Sequence, residues 1–344
     1  MEIAIFSDLH LGLKSDSQEW HKVAYEWVDS MVEVLKKKKI ENIFFLGDWF
    51  HNRSAISVAT LYATSVILDK LEDFTLWIFP GNHDLYFSNQ TDVSAVSLFK
   101  GYPNVKYFDE VQQISLGGKE ITLCPWGLNP LNSDLNNTDY LFGHFEINTF
   151  QMNSSEQLCE DGIKLSDLLK KYKNIFSGHF HKAQQRIYSA GLVQYVGNPF
   201  QMNFGEAEDN KGFLILNLET GKYNYIYNKI SPKFIKLSLS QLIQMEIDDI
   251  DSFIKNNFIR LSIDKNITVD DMDELLKLIS ACKPNDCDID WDNSGFTSSV
   301  DTKTDFVALE LLTALTEYTK LLEIENQKEV INYLTKKYKE VSDV

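Results

Sequence analysis

Residues 177–182 read SGHFHK, so that His179 and His181 stand one residue apart at the end of an apolar run. On an extended strand, side chains at i and i+2 share a face, and the pair alone needs no chemical purpose. The remaining histidines supply one. Of the seven, only His21 lies away from a strand end containing glycine, aspartate or asparagine; the others stand in FSDLHLG (His10), LGDWFHN (His51), PGNHDLY (His83), FGHFE (His144) and SGHFH. These stretches hold the parts of a dinuclear metal centre. Asp8 and His10 form a D-x-H pair, Asp48 is a carboxylate suited to bridging, Asn82 offers a neutral oxygen, and His144, His179 and His181 offer nitrogens. A centre of that kind needs one shared carboxylate, histidines and neutral oxygens to fill each shell, and open positions for water and phosphate. The neighbouring Gly47, Gly81, Gly143 and Gly178 let the backbone turn sharply and leave room for an ion.

Each stretch follows a short apolar run, respectively IAIF, NIFFL, TLWIF, DYLF and KNIF, which reads as a buried strand delivering polar residues at its carboxyl end. In open α/β sheets the ligand crevice lies outside those ends, so tips far apart in sequence can converge. Helix candidates at 20–38 and 56–72 alternate with the strands, and RIYSAGLVQYVGNPF and GFLILNLETGKYNYIYN read as hairpins. Residues 1–230 therefore form one α/β domain. A second β-α-β-α unit spans 231–282, an aspartate-rich linker, in which a late strand could sit, 283–304, and a helical segment with an apolar stripe 305–344. The chain has 344 residues, enough for roughly two domains. No apolar stretch approaches the ~18–20 residues of a membrane span, so no membrane partner is expected. Four cysteines without C-x-x-C spacing, and an N-terminus with no signal-like region, indicate reduced thiols in a cytoplasm. A formal net charge of −17 argues against a nucleic-acid partner, but divalent cations can invert that logic locally.

The blocks DLH, GDWFHN, GNHD, GH and GHFH, in this order, resemble the five signature blocks of the calcineurin-like metallophosphoesterases. Within that superfamily, SDLHLG, GDWFH and GNHD look most like the SbcD-type nucleases of DNA double-strand-break repair. LCPWG, GHFEINTF and YVGNPFQMNFGE favour their phage form, the recombination endonuclease subunit of T-even phages. The resemblance is firm over residues 1 to about 230. It implies an α/β fold with a two-sheet core, a β-sandwich flanked by helices, followed by a small α/β capping domain and a C-terminal helical segment. It implies two Mn2+ ions, with Mg2+ as a substitute: Asp8, His10, Asp48 and His181 on one, and Asp48, Asn82, His144 and His179 on the other. His83 would contact the scissile phosphate and assist the leaving group, Asp84 would orient His83, and His51 would be a second catalytic histidine. Implied partners are double- and single-stranded DNA, an SbcC-like coiled-coil ATPase docked on 305–344, and a second copy of the chain, giving a heterotetramer. A phage-encoded chain would act in the host bacterial cytoplasm.

Lys14 and Arg53 are candidate phosphate contacts beside the site, although exposed basic residues are ordinary, and Trp49 and Trp126 read as packing residues. The favoured expectation is a manganese-dependent DNA exonuclease and endonuclease. The alternatives are another phosphoesterase, acting on cyclic nucleotides or phosphoproteins, and a non-catalytic scaffold that brings the ATPase to DNA.

Overall fold

The computed structural model describes residues 1–87, 90–152, 157–265, 267–291, 328, 330–333 and 335. Four strands, β1 (Glu2–Phe6), β2 (Asn42–Phe45), β3 (Thr75–Ile78) and β4 (Val105–Tyr107), lie parallel in one sheet. The next six, β5 (Gln112–Leu116), β6 (Lys119–Cys124), β7 (Tyr140–His144), β8 (Asn174–Gly178), β9 (Gln184–Tyr188) and β10 (Gly191–Tyr195), build a second sheet in the order β5-β6-β7-β8-β10-β9. The chain then returns: β11 (Gly212–Asn217) pairs antiparallel with β1, and β12 (Tyr223–Tyr227) closes that edge as a hairpin. The fold is mixed α/β with two main sheets and a small third one.

Alternation along single strands explains the layering. Ile3 and Ile5 of β1 and Phe44 of β2 meet Ile121, Leu123, Phe142 and Phe176 of the second sheet in a buried core between the sheets. Ala4, Phe6, Ile43 and Phe45 point the other way, onto Trp27, Val28 and Met31 of the Gln18–Lys38 helix. Strands covered on both faces read as unbroken apolar runs, which is why period-two patterning is missing from their sequence. The two helices expected at 20–38 and 56–72 occur at Gln18–Lys38 and Val58–Lys70, the second capped by the Ser57 hydroxyl accepting from the Thr60 amide.

The third sheet differs in extent from the unit expected at 231–282. Three parallel strands, β13 (Phe234–Ser238), β14 (Phe258–Ile263) and β15 (Asp286–Trp291), are joined through the Leu239–Ile243, Ile247–Ile254 and Val269–Ala281 helices. Strand β15 lies in the stretch read as an acidic linker from residue 283. The alternation of Asp286, Asp288 and Asp290 with Cys287 and Ile289 is the reason: the apolar positions pack on the third sheet's core. The rest of the expected linker, and the helical segment at 305–344, lie outside the described residues, except for helical residues at 328, 330–333 and 335.

A ring stack joins the third sheet to the Gln18–Lys38 helix. Phe234 and Phe258, cross-strand partners at 4.6 Å, both stack on Trp20, at 6.0 and 5.6 Å. Trp20 is buried, and truncating a buried aromatic costs about 3–5 kcal/mol. Trp20→Ala should lower unfolding stability in urea by that amount; a loss under about 1 kcal/mol would show that the stack contributes little.

Candidate metal centre

The carboxyl ends of β1, β2 and β3 in one sheet and of β7 and β8 in the other meet at one edge of the sandwich. The backbone there is forced into unusual conformations. Asp8 (φ 56), His10 (φ 49), Asp48 (φ 62) and His179 (φ 92) all adopt the left-handed region, which costs L-residues of order 1–3 kcal/mol each. Hydrogen bonds between the tips hold them: the Asp8 amide donates to the Gly47 carbonyl (3.0 Å), His10 to Asp48 (3.1 Å) and Leu11 to Trp49 (2.8 Å). Glycine is required where tips touch. A Cβ on Gly81 would lie 2.2 Å from Asp48 Oδ1, and one on Gly47, itself at φ 94, 2.6 Å from His144 Nδ1.

Two donor clusters result. Asp8, His10 and His181 form one, and Asp48, His144 and His179 the other, each with ligand atoms within 4.8 Å of one another. In the first, the Nε2 atoms of His10 and His181 face each other at 3.1 Å. In the second, Asn82 Oδ1 lies 3.0 Å from His144 Nε2 and 2.9 Å from His179 Nδ1. Asp48 Oδ2 faces both, 3.3 Å from His144 Nε2 and 3.7 Å from His10 Nε2. Donor separations near 3 Å are the edges of coordination shells whose bonds are about 2.1 Å. The nitrogen and oxygen set thus fits a pair of divalent cations, without distinguishing manganese from its neighbours.

Three of the four donor histidines have a partner on their far side, whereas the buried Nδ1 of His10 has none among the described residues. His144 Nδ1 donates to the Leu46 carbonyl (2.7 Å), His181 Nδ1 to Glu206 (2.8 Å), and His179 Nε2 lies 3.2 Å from Glu146. Glu146 and Glu206 were not singled out from sequence. Glu146 carried a signal, standing two residues after His144 in GHFE; Glu206 carried none, because a turn 25 residues beyond His181 returns it. Burial resists charge on Glu206, but His181 and Lys211 outweigh it and hold its carboxyl at about 2. Burial, first of all, pushes His10 well below the ordinary histidine range. It also disfavours the His144 cation, yet the Asp48 charge and hydrogen bond prevail and raise His144 to about 9.

His83 and His51 stand beside these clusters. A nitrogen of each lies within 4.8 Å of one on His10, and the two rings stack at 5.8 Å. His83 Nδ1 donates to the His51 carbonyl (2.7 Å), which corrects the expectation that Asp84 orients His83. The buried Asp84 serves the backbone instead. It accepts from the amides of Asp48 (2.8 Å), Phe50 (3.0 Å) and Gly81 (2.9 Å), tying the β2 tip to the β3 tip. Burial and the nearby Asp48 charge push Asp84 up to about 7, against those donors. Arg53 is exposed on the loop after His51. Lys14 is exposed in a left-handed turn, its ammonium 5.9 Å from the Phe234 ring, facing the third sheet. Trp49 is core, whereas Trp126 lies against His179 with ring centres 4.7 Å apart.

Residues 1–183 match the family model of the calcineurin-like phosphoesterases, and the chain belongs to that family of metallophosphoesterases. Over 237 residues it is 30% identical to exonuclease subunit 1 of Enterobacteria phage T4, covering 66% of this chain and 68% of that protein. An archaeal phosphodiesterase aligns with 66% of the chain over 100% of its own, at 13% identity and a TM-score of 0.37. A dimetal phosphatase from Danio rerio aligns with 62% of the chain over 91% of its own, at 12% identity and a TM-score of 0.40.

With His144 raised to about 9, the cation-free centre holds a proton there at neutral pH, and a divalent cation has to displace it. Affinity should therefore rise with pH, by about tenfold per unit between about pH 6 and pH 8, with about one proton released per cation bound at this half of the centre. Calorimetric manganese titrations in buffers of different ionisation enthalpy check this; pH-independent binding without proton release would contradict the Asp48–His144 coupling.

Proposed function

We propose that this metallophosphoesterase is a manganese-dependent DNA nuclease, both exonuclease and endonuclease, and the nuclease half of a recombination and double-strand-break repair complex. Similarity to an exonuclease subunit, in a chain with two Asp/His donor clusters that could each hold a cation, supports the reading. Asp8, His10, Asp48 and His181 would hold one cation and Asp48, Asn82, His144 and His179 the other. When bound, such a pair neutralises the phosphodiester and lowers the pKa of the attacking water.

The chain's own residues do the rest. Asp48 Oδ1 accepts the His83 amide (2.8 Å), so the same carboxylate that faces both clusters sets the backbone position of His83. With Nδ1 engaged by the His51 carbonyl, His83 presents Nε2 to the substrate. From there the ring would supply a positive charge to the phosphate or a proton to the departing oxygen. His51, half-buried, held below the ordinary histidine range by that burial and by His83, and stacked on the His83 ring, would be a second catalytic histidine. The exposed Lys14 and Arg53 would contact flanking phosphates.

The third sheet takes the place of a domain that admits DNA to the centre. Exposed Val58, Leu61 and Tyr62 on the Val58–Lys70 helix suit pairing with a second copy. Residues 305–344, with Phe306, Leu309, Leu312 and Leu315 at helical spacing, suit docking in a groove of an SbcC-like ATPase.

End-labelled linear duplex and single strands should be cut with manganese and spared with chelator. His83→Ala should keep manganese affinity while slowing cleavage by about 10²–10⁴-fold; wild-type rates in that variant would refute its role. A wild type that leaves DNA intact with its ATPase present, yet hydrolyses a small phosphodiester, would replace this reading with a broader phosphodiesterase. Truncation after about residue 300 should abolish co-elution with the ATPase; an unchanged complex would move the docking site elsewhere.

A further inference from the structure

The histidines of SGHFH differ in what stands behind them. Glu146, behind His179, has a side chain 42% exposed, so solvent screens its 3.2 Å contact. Glu206, behind His181, is 6% exposed and held from several directions. Its Oε1 accepts from His181 Nδ1 (2.8 Å), while Oε2 accepts from Asn198 Nδ2 (2.9 Å), the Met202 amide (3.1 Å) and the Lys211 ammonium (3.0 Å). Lys211, equally buried, also donates to the main-chain carbonyl of His181 (2.9 Å). One buried ion pair thus grips both the ring and the backbone of a single residue.

The local chain is built for this. Asn203 caps the Phe204–Glu206 turn by accepting the Gly205 amide (2.7 Å), and Phe204 packs against Phe234 at 5.0 Å, so the turn cannot rotate freely. A buried carboxylate needs partners wherever it lies, and Lys211 alone would satisfy its charge. The bond to His181 is additional, and it has a chemical result. A proton fixed on Nδ1 leaves the lone pair on Nε2, the atom that faces His10 at 3.1 Å.

We propose that Glu206 is a positioning residue: it sets the tautomer and ring orientation of His181, with Lys211 immobilising Glu206, and so prepares one of the two cation positions. The inference rests on the two-cation reading above for its consequence, but not for the tautomer itself.

The test uses full-length protein. Nitrogen-15 NMR of the imidazoles in the cation-free state reads the His181 tautomer, and manganese titration followed by the electron paramagnetic resonance of the free ion reads affinity. Wild type should show the Nδ1–H form. Glu206→Ala should lose that preference, and one of its two manganese affinities should fall about 10–100-fold while the other holds. Glu206→Gln, which keeps an acceptor, should fall in between. Wild-type tautomer and both affinities within about twofold in Glu206→Ala would overturn the proposal. If that variant does not fold, Glu206→Leu/Lys211→Met removes both buried charges together and is held to the same outcomes. A wild type that binds no manganese would defeat the two-cation reading instead, and the tautomer measurement would still decide the role of Glu206.

Discussion

Asp48 stands where two requirements meet on one carboxylate. Its Oδ1 accepts the His83 amide, and its Oδ2 faces His10 on one side and His144 on the other. The same residue is in the left-handed region and has its own amide held by Asp84. Moving Asp48 by a fraction of an ångström would disturb both donor clusters and the loop that carries His83. The surrounding main-chain bonds and the absence of a side chain at Gly81 are what permit it to stay. Backbone strain collected at such a point is tolerable because the tips are themselves anchored in the cores, through Leu9, Leu11, Trp49 and Phe50 on one side and Phe145 and Phe180 on the other.

That division explains what could be read from the sequence. Apolar runs ending in DLH, GDW, GNHD, GH and GHFH reported strand ends and donor types, and the strands occur at those places. Periodicity located the two long helices to within two residues at each end. What escaped was set by geometry rather than by residue type. Asp84 looked like the natural partner of His83 because it is adjacent, yet its carboxylate turns inward to three amides and leaves a backbone carbonyl to orient the ring. Glu206 is invisible to spacing because its position depends on a turn closing over 25 residues. The late strand allowed for in the aspartate-rich stretch is β15, whose aspartates occupy one face while Cys287 and Ile289 supply the other.

Charge is distributed in a way the net value conceals. The chain is formally −17, yet the donors at the sandwich edge include only a few carboxylates among many imidazoles, and Asp84 and Glu206 are turned away behind them. An acidic surface repels a polyanion at long range, an effect cut off within about 8–10 Å at physiological salt. A compact pair of divalent charges acts at closer range than that, where repulsion from distant carboxylates is already screened.

The pairing of β1 with β11 has a consequence for the order of synthesis. Glu2 through Ile5 lie opposite Leu214 through Asn217, so the first strand leaves the ribosome long before its antiparallel neighbour exists. Asp8 and His10 are made before the other donors, while His179, His181, Glu206 and Lys211 arrive only as β8 to β11 are made. Contacts this distant in sequence form late and slowly. A nascent chain therefore holds Asp8 and His10 without their partners until His181 has been made, and without the β1–β11 pairing until Asn217 has followed.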